Sequence, residues 1–365
     1  MTGWTLSLYL ARRLLTAIGL AFLATLFIIV LGDIVELSRE AASRGTEDLP
    51  LLSMALLHAP NVMNRALPYV MLIGGLAAFL RLARSSELVV MRAAGLSAWR
   101  ILTVPVLLAL VLGTLTVTVY NPVAAAALKR YESLEIKYFR GQDSLLDVSR
   151  EGLWLRQPND RGHAVINARR ASGDGIALVG VTVFEFDDAG DLVQRIEASE
   201  ARLTDGAWVF EEAQLWSVDA GNVARTATDR VDLPTDLTPE RILESFADPR
   251  SLSFWDLDAF IATLDASGFS SVRHRLHQQV EISKPVLFVA MLLIGAGFSM
   301  RHARFGRTGQ MVLMAVATGF GVFFLMDIAQ ALGAAGNVPL VVAAWAPPFA
   351  TLFFGVFLLL SLEDG

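Results

Sequence analysis

The 365-residue sequence contains no cysteine. That excludes a disulfide frame and any thiolate metal site. Charge is scarce as well: 18% of residues are Asp, Glu, Lys or Arg, the net charge is −6, and 54% are hydrophobic. Such a balance belongs to a membrane protein with a soluble part, and it offers no basic field for nucleic acid. The pattern G-x-x-x-x-G-K-[ST] is missing, and the glycines around Gly306 and Gly309 have no lysine, so the chain has no P-loop for ATP. Neither H-E-x-x-H nor G-x-S-x-G occurs.

Long apolar runs are plentiful. Leu14 to Leu31 is unbroken, follows Arg12 and Arg13, and at about 18 residues is just long enough to span. Asp33 and Glu36 follow at once where a signal-peptide cleavage site would lie, so this run is expected to be a retained first span. Six spans are expected, near residues 13–32, 62–80, 101–120, 284–300, 309–332 and 338–362. Pro68 should kink the second, and Asn121-Pro122 should end the third. This is an α-helical polytopic membrane protein in a 3+3 layout with a large polar insert. The expected domains are 1–122, 123–278 and 279–365.

Arginine placement orients the spans. Arg12 and Arg13, then Arg81, Arg84, Arg92 and Arg100, then Arg301, Arg304 and Arg307 all fall on one side, cytoplasmic by the positive-inside rule. The first loop offsets Arg39 and Arg44 with five acids and lies outside with the insert. Both termini are then cytoplasmic.

The insert reads as β structure. VTVFEF (181–186) and LVQRIEA (192–198) flank DDAGD, and ARLT (201–204) and WVFEEAQLWSV (208–218) flank Asp205-Gly206. LWLRQ (153–157) and AVIN (164–167) flank PNDRG. Short strands at this spacing suggest a sandwich or an open roll. Residues 123–140 are more helical and continue the third span, while FWDLDAFIATLDASG is helical and leads back to the membrane.

Between the second and third spans lies RSSELVVMRAAGLS (84–97). Ser86 is a cap candidate, Glu87 falls in the first turn, and Gly95 supplies a stop, so a helix of about two turns, roughly 12 Å, is expected at 86–95. It reads as a docking helix for a cytoplasmic partner, or as a solvated loop that fixes topology. Four polar groupings stand out elsewhere. Asp327, with Gln330 one turn on, lies inside span 5, in a packing or subunit interface or on a transport path. Asp33, Glu36 and Glu40 share a face at the outer end of span 1, where Arg39 and Arg44 can pair with Glu36 and Glu40, or meet headgroups. Lys129, Arg130 and Lys137 suit lipid phosphates or act as snorkelling anchors. His274 and His277 sit one turn apart without an obvious third ligand, so a solvated face is expected over a metal site.

SELVVMRAAGLS at 86–97, GLWLR at 152–156, SLSFWDLDAFIATLDASG at 251–268, MDIAQALG…NVP…AAWAPP at 326–348 and the 3+3 layout together resemble the permease subunits of the lipopolysaccharide-export ABC transporter, the LptF/LptG (YjgP/YjgQ) family. The SELVVM stretch is closer to the LptG branch. The resemblance implies that the chain pairs with a homologous LptF-like permease and a cytoplasmic LptB-like ATPase dimer. It also implies a single-span LptC-like β-jellyroll protein, a periplasmic bridge and lipopolysaccharide as partners. It makes the outer insert an all-β, jellyroll-like periplasmic domain and spans 1 and 5 lateral gates. The ATPase-coupling residues would be Glu87, Leu88, Met91, Arg92 and Gly95, with Glu87 at the family's acidic position. No cofactor is implied. One departure stands: the family's span 1 lysines, which meet lipid phosphates, are replaced by Arg39 and Arg44 among acids. Alternatives are another ABC permease (lipoprotein release or efflux), a stand-alone secondary transporter or membrane enzyme, or a plain anchor for the β domain.

Overall fold

A computed structural model describes residues 2–44, 50–135, 138, 153–159, 162–171, 177–187, 190–204, 206–219, 222–235, 248–266, 270–300 and 308–363. The chain divides into two compact units. One holds residues 1–132, 249–257 and 272–365, and the other holds 133–248 and 258–271.

The first unit contains α1 (Thr2–Arg44), α2 (Leu51–Arg84), α3 (Glu87–Ala93), α4 (Ala98–Leu115) and most of α5 (Asn121–Glu135). After the insert and the short helix α6 (Leu257–Ala266) come α7 (Val272–Met300), α8 (Thr308–Ala334) and α9 (Leu340–Glu363). Six helices in this set are long and apolar enough to cross a membrane. Their outward faces carry Leu23, Phe27, Leu313, Phe353 and many other exposed apolar side chains, which suits lipid rather than water. In α7, 83% of the apolar stretch is buried, against 11% in α1 and 17% in α8. The helix of span 4 is therefore the axis of the unit.

Close packing on that axis depends on small residues, as expected where lipid supplies no hydrophobic drive between helices. A Cβ on Gly295 would lie 2.8 Å from the Leu72 carbonyl oxygen and 2.9 Å from the Leu76 nitrogen. One on Gly113 of α4 would lie 2.6 Å from Pro285 Cα. Both neighbours are backbone and cannot rotate away.

Asn121-Pro122 does not end the third span. The helix passes through a π-helical turn, Thr116–Tyr120, and continues as α5. That turn absorbs the donor Pro122 lacks. The returning chain holds it from outside: Trp255 Nε1 donates to the Thr118 carbonyl (3.1 Å), and the Phe254 amide donates to Asn121 Oδ1 (2.8 Å).

The second unit is one six-stranded antiparallel sheet in sequence order, β1 (Leu153–Asn159), β2 (Gly162–Ala171), β3 (Ala177–Asp187), β4 (Leu192–Thr204), β5 (Ala207–Asp219) and β6 (Asn222–Pro234). The three expected hairpins, flanking PNDRG, DDAGD and Asp205-Gly206, form; Asp187 closes the second by accepting the Asp191 amide on Oδ1 (2.8 Å). Of the sandwich and the open roll, the roll is found. Its curl is visible in the burial pattern. In β4 the buried residues are Ile196 and Ala198, then Ala201 and Leu203, so the alternation slips by one. The same slip occurs between Leu178 and Val181 in β3 and between Phe210 and Ala213 in β5. Gly180 (φ 67°) and Glu212 (φ 52°) mark it with left-handed backbone. Residues on both sides of the slip share one core with Trp208. The sheet thus folds its two halves onto each other along a diagonal crease. Gln157 of β1, 2% exposed, then reaches the far end, donating to the Pro234 carbonyl (2.9 Å) and accepting from Thr235 Oγ1 (2.7 Å).

Gly295→Val tests the glycine contact. It should cost about 1–3 kcal/mol and lower the melting temperature of the detergent-solubilised protein by several degrees. Gly321→Ala, with open space around its Cβ, should leave it unchanged.

Candidate functional site

The segment between α2 and α4 is built from its ends inward. The arginine-bearing end of α2 stops at Ser85, whose hydroxyl donates back to the Arg81 carbonyl (3.0 Å) and also reaches Glu87 Oε1 (2.8 Å). Ser86 takes the N-cap position in left-handed backbone (φ 60°), and its side chain caps nothing. The side-chain cap expected of Ser86 is therefore not made. The other end follows expectation: Gly95 (φ 84°) sends its amide to the Arg92 carbonyl (2.9 Å), and the Leu96 amide reaches Met91 (3.2 Å). This is the Schellman arrangement, with the left-handed residue that glycine fits.

Within α3 the side chains divide. Leu88 and Met91 are buried in the core of the membrane unit. Val89 and Val90 point away, 65% and 66% exposed, beside exposed Arg92. Glu87 faces neither way. Its Oε2 accepts from the Tyr9 hydroxyl (2.7 Å), Tyr9 in turn accepts from Arg13 Nε (2.8 Å), and Arg13 lies 3.7 Å from Oε1. The Tyr9 hydrogen bond, followed by Ser85, Arg13 and Arg81, holds the Glu87 carboxyl below the usual carboxylate range against the opposing effect of partial burial. Contacts at this exposure are worth about 0–1 kcal/mol each; their role is to join α3 to α1. The sequence reading placed Glu87 on the docking surface and missed Tyr9, Arg13, Val89 and Val90. The signal available was two adjacent valines in a seven-residue helix whose Leu88 and Met91 share the opposite face.

A second polar cluster lies inside the membrane unit. Lys284 Nζ donates to Glu281 Oε1 (2.6 Å) and Asn64 Oδ1 (3.0 Å), with Lys284 6% and Glu281 2% exposed. His277 Nε2 lies 3.8 Å from the same carboxylate oxygen. His274 is buried too, so the solvated histidine face expected of 274–277 is not found. The start of α7 is covered instead, with Leu276 packed on Ala343 and Ala344 and Gln279 accepting from Trp345 Nε1 (3.1 Å). Among the described residues no group of three or more His, Asp or Glu could hold a metal ion.

At the outer end of span 1, Arg39 is exposed and, among the described residues, makes no ion pair with Glu36. Asp33 of the same acidic set reaches across to α2 instead, its Oδ2 3.0 Å from His58 Nδ1, while Tyr131 stacks on that imidazole at 4.7 Å. Lys129 and Arg130 are exposed on α5. The Arg44 side chain, Lys137 and residues 301–307 lie outside the described residues. Asp327 is exposed on α8, and Gln330 is half-buried one turn on. These candidates form no single site. An apolar groove of about 450 Å³ opens along α1, lined by Leu15, Ile18 and Phe22 with Val119 and Tyr120 of the π turn.

The sequence family described as "Lipopolysaccharide export system permease LptF/LptG" matches residues 8–361. The lipopolysaccharide export system permease protein LptG of Escherichia coli K12 is 25% identical over 359 residues, 96% of this chain and 97% of that protein. LptG of Haemophilus influenzae is 23% identical over 346 residues, 94% of each chain.

Two outcomes test this geometry. Lys284→Met strands the Glu281 carboxylate in the interior and should destabilise by about 3–5 kcal/mol; adding Glu281→Gln should recover most of it, read as melting temperature. Because the Glu87 pKa is depressed, its tie to α1 is complete above the ordinary carboxylate value and is lost as pH falls through the lower folded value. A ¹³C titration of labelled glutamate carboxyls should show Glu87 low, and Tyr9→Phe should move it up.

Proposed function

Since the chain belongs to the LptF/LptG family of lipopolysaccharide export system permeases, we propose that it is a membrane subunit of an ABC transporter that extracts lipopolysaccharide from the inner membrane and passes it to a periplasmic β-structured bridge. The chain has no P-loop, so hydrolysis belongs to an LptB-like ATPase dimer, and an LptF-like permease completes the membrane part. An LptC-like protein and the bridge receive the lipid. Arginine placement puts both termini and α3 in the cytoplasm and the sheet in the periplasm.

The observation that carries this reading is α3 itself. A seven-residue helix is too short to hold its shape in water, yet this one is stopped at both ends, seated by Leu88 and Met91, and tied through Glu87 to span 1. It presents Val89 and Val90 outward for an apolar groove on a partner. Span 1 is the least buried of the six and borders the apolar groove, which suits a helix that moves to admit acyl chains.

A stand-alone secondary transporter is the second reading. It gains buried ionisable groups in Glu281 and Lys284, but these neutralise each other and leave the docking helix unexplained.

In the reconstituted complex, Val89→Asp with Val90→Asp should release the ATPase on purification. Glu87→Lys should leave the ATPase bound and hydrolysis running while lipopolysaccharide release falls tenfold or more, because Arg13 then repels α3. Full transport by Glu87→Lys would sink the coupling role.

A further inference from the structure

In an α-helix the Thr118 carbonyl would accept from the amide of residue 122, and residue 122 is proline. The π-helical turn Thr116–Tyr120 steps round the proline ring by sending the Asn121 amide to the Thr116 carbonyl, five residues back. Trp255 Nε1, 137 residues further on, takes the place of the missing amide and donates to the Thr118 carbonyl at 3.1 Å. At membrane depth a backbone carbonyl has only protein to satisfy it. The approach to the turn is weakened as well. Thr114, Thr116 and Thr118 donate their hydroxyls back to the carbonyls of Leu110, Leu112 and Thr114 (2.9 Å each), a pattern that bends helices. Threonine back-bonding, π turn and proline all fall within residues 114–122 and together mark a hinge in span 3.

The half of the span before the hinge is fixed, because Gly113 lets α4 lie against Pro285 of α7, where an added Cβ would come within 2.6 Å. At the hinge itself the returning chain docks. Residues 249–257 pack with the membrane unit, while the chain on either side of them, 133–248 and 258–271, belongs to the sheet unit. A tight turn shapes this strap: the Asp256 amide donates to the Ser253 carbonyl (3.0 Å) and the Trp255 amide to Ser253 Oγ (3.2 Å). The Phe254 amide and the Trp255 indole then meet Asn121 and Thr118. Trp255 stays 63% exposed, with Phe254 edge-on at 5.4 Å. Two hydrogen bonds with so little burial make a contact that can release, unlike a seam of the core. The same turn carries Tyr120, which donates to the Pro60 carbonyl of α2 (3.1 Å) and, with Val119 and Val123, walls the apolar groove along α1.

We propose that residues 253–257 are a latch on this hinge. Docked, Phe254 and Trp255 hold α5 in line and keep the groove narrow. Undocked, α5 swings about the π turn, Val119 and Tyr120 draw away from α1, and the groove widens for an acyl chain. The strap is continuous with the sheet unit at both ends, so movement of that unit pulls on the latch through the chain itself. The groove then has two movable walls under separate control, span 1 through Glu87 and the hinge through Trp255. This assignment rests on the transport reading above and adds the element by which the sheet unit acts on the groove.

The test uses the full chain with its co-purifying partners in nanodiscs. The sequence has no cysteine, so Asn121→Cys with Phe254→Cys places a single disulfide across the latch, where the Phe254 amide already lies 2.8 Å from the Asn121 side chain. The oxidised pair should stop releasing lipopolysaccharide, dithiothreitol should restore release, and Phe254→Cys alone should be indifferent to oxidation. Release at the same rate by the oxidised and reduced pair would overturn the latch, leaving a static seam. Hydrogen exchange needs no lipopolysaccharide. Trp255→Phe should speed exchange of the amides at 120–126 about threefold to tenfold, the worth of one hydrogen bond, and unchanged exchange would count against the latch. In wild type, a non-hydrolysable ATP analogue should deprotect the Phe254 amide, and equal protection with and without it would overturn the proposal even where a variant does not fold. Wild type that releases no lipopolysaccharide would instead overturn the transport reading, with the exchange measurements still deciding the latch.

Discussion

The membrane unit depends on how closely α7 is approached. Gly295 lets the backbone of α2 come within contact of its own, and Gly113 does the same for α4 at Pro285. Once backbones meet at that distance, the side chains further out along the same pair of helices are brought together. Asn64, Glu281 and Lys284 are forced together, and the ion pair is affordable because its members are dry and mutually satisfied. The next residue of α2, Arg65, lies outside that cluster and is exposed. Helices α1 and α8 lie outside this axis and are the least buried of the six, and the apolar groove opens along α1.

Much of this was legible in the sequence, and the reasons differ by element. The six spans stood out because about 20 apolar residues are needed to cross a bilayer and few other structures require them. The hairpins at DDAGD and Asp205-Gly206 stood out because turn chemistry is local. The Gly95 stop is local too. Arg65 was hidden by averaging, since Val62 to Leu80 stays hydrophobic with one arginine in it. Glu281 lies before the expected start of span 4 and Lys284 at it, and neither stood out in the sequence; α7 begins at Val272 and buries both. The crease of the sheet has no sequence signature beyond Gly180, because the slip in alternation at Ala198 and Ala201 reads as ordinary strand. For α3, composition gave the helix but not its orientation; only the core beneath Leu88 and Met91 decides that Val89 and Val90 are the free face.

The polar groups expected near lipid headgroups were the hardest to read. Arg39, Arg44, Lys129, Arg130 and Lys137 were marked by charge alone, and charge near a bilayer surface has many uses. The structure adds relation rather than charge: Asp33 belongs to His58, and Lys284 to Glu281 and Asn64.

The anchoring of α3 has a mechanical consequence. A loop helix joined only by its two chain ends would swivel, and a push on it would dissipate in bending. Here three separate attachments (Glu87 to α1, Leu88 and Met91 to the core, and the turn at Gly95) tie it to the body of the unit. It behaves as a gear tooth cut into the body rather than a handle hung from it. A push on Val89 and Val90 would therefore bear on span 1 and on the core beneath α3 together, rather than on the two chain ends alone.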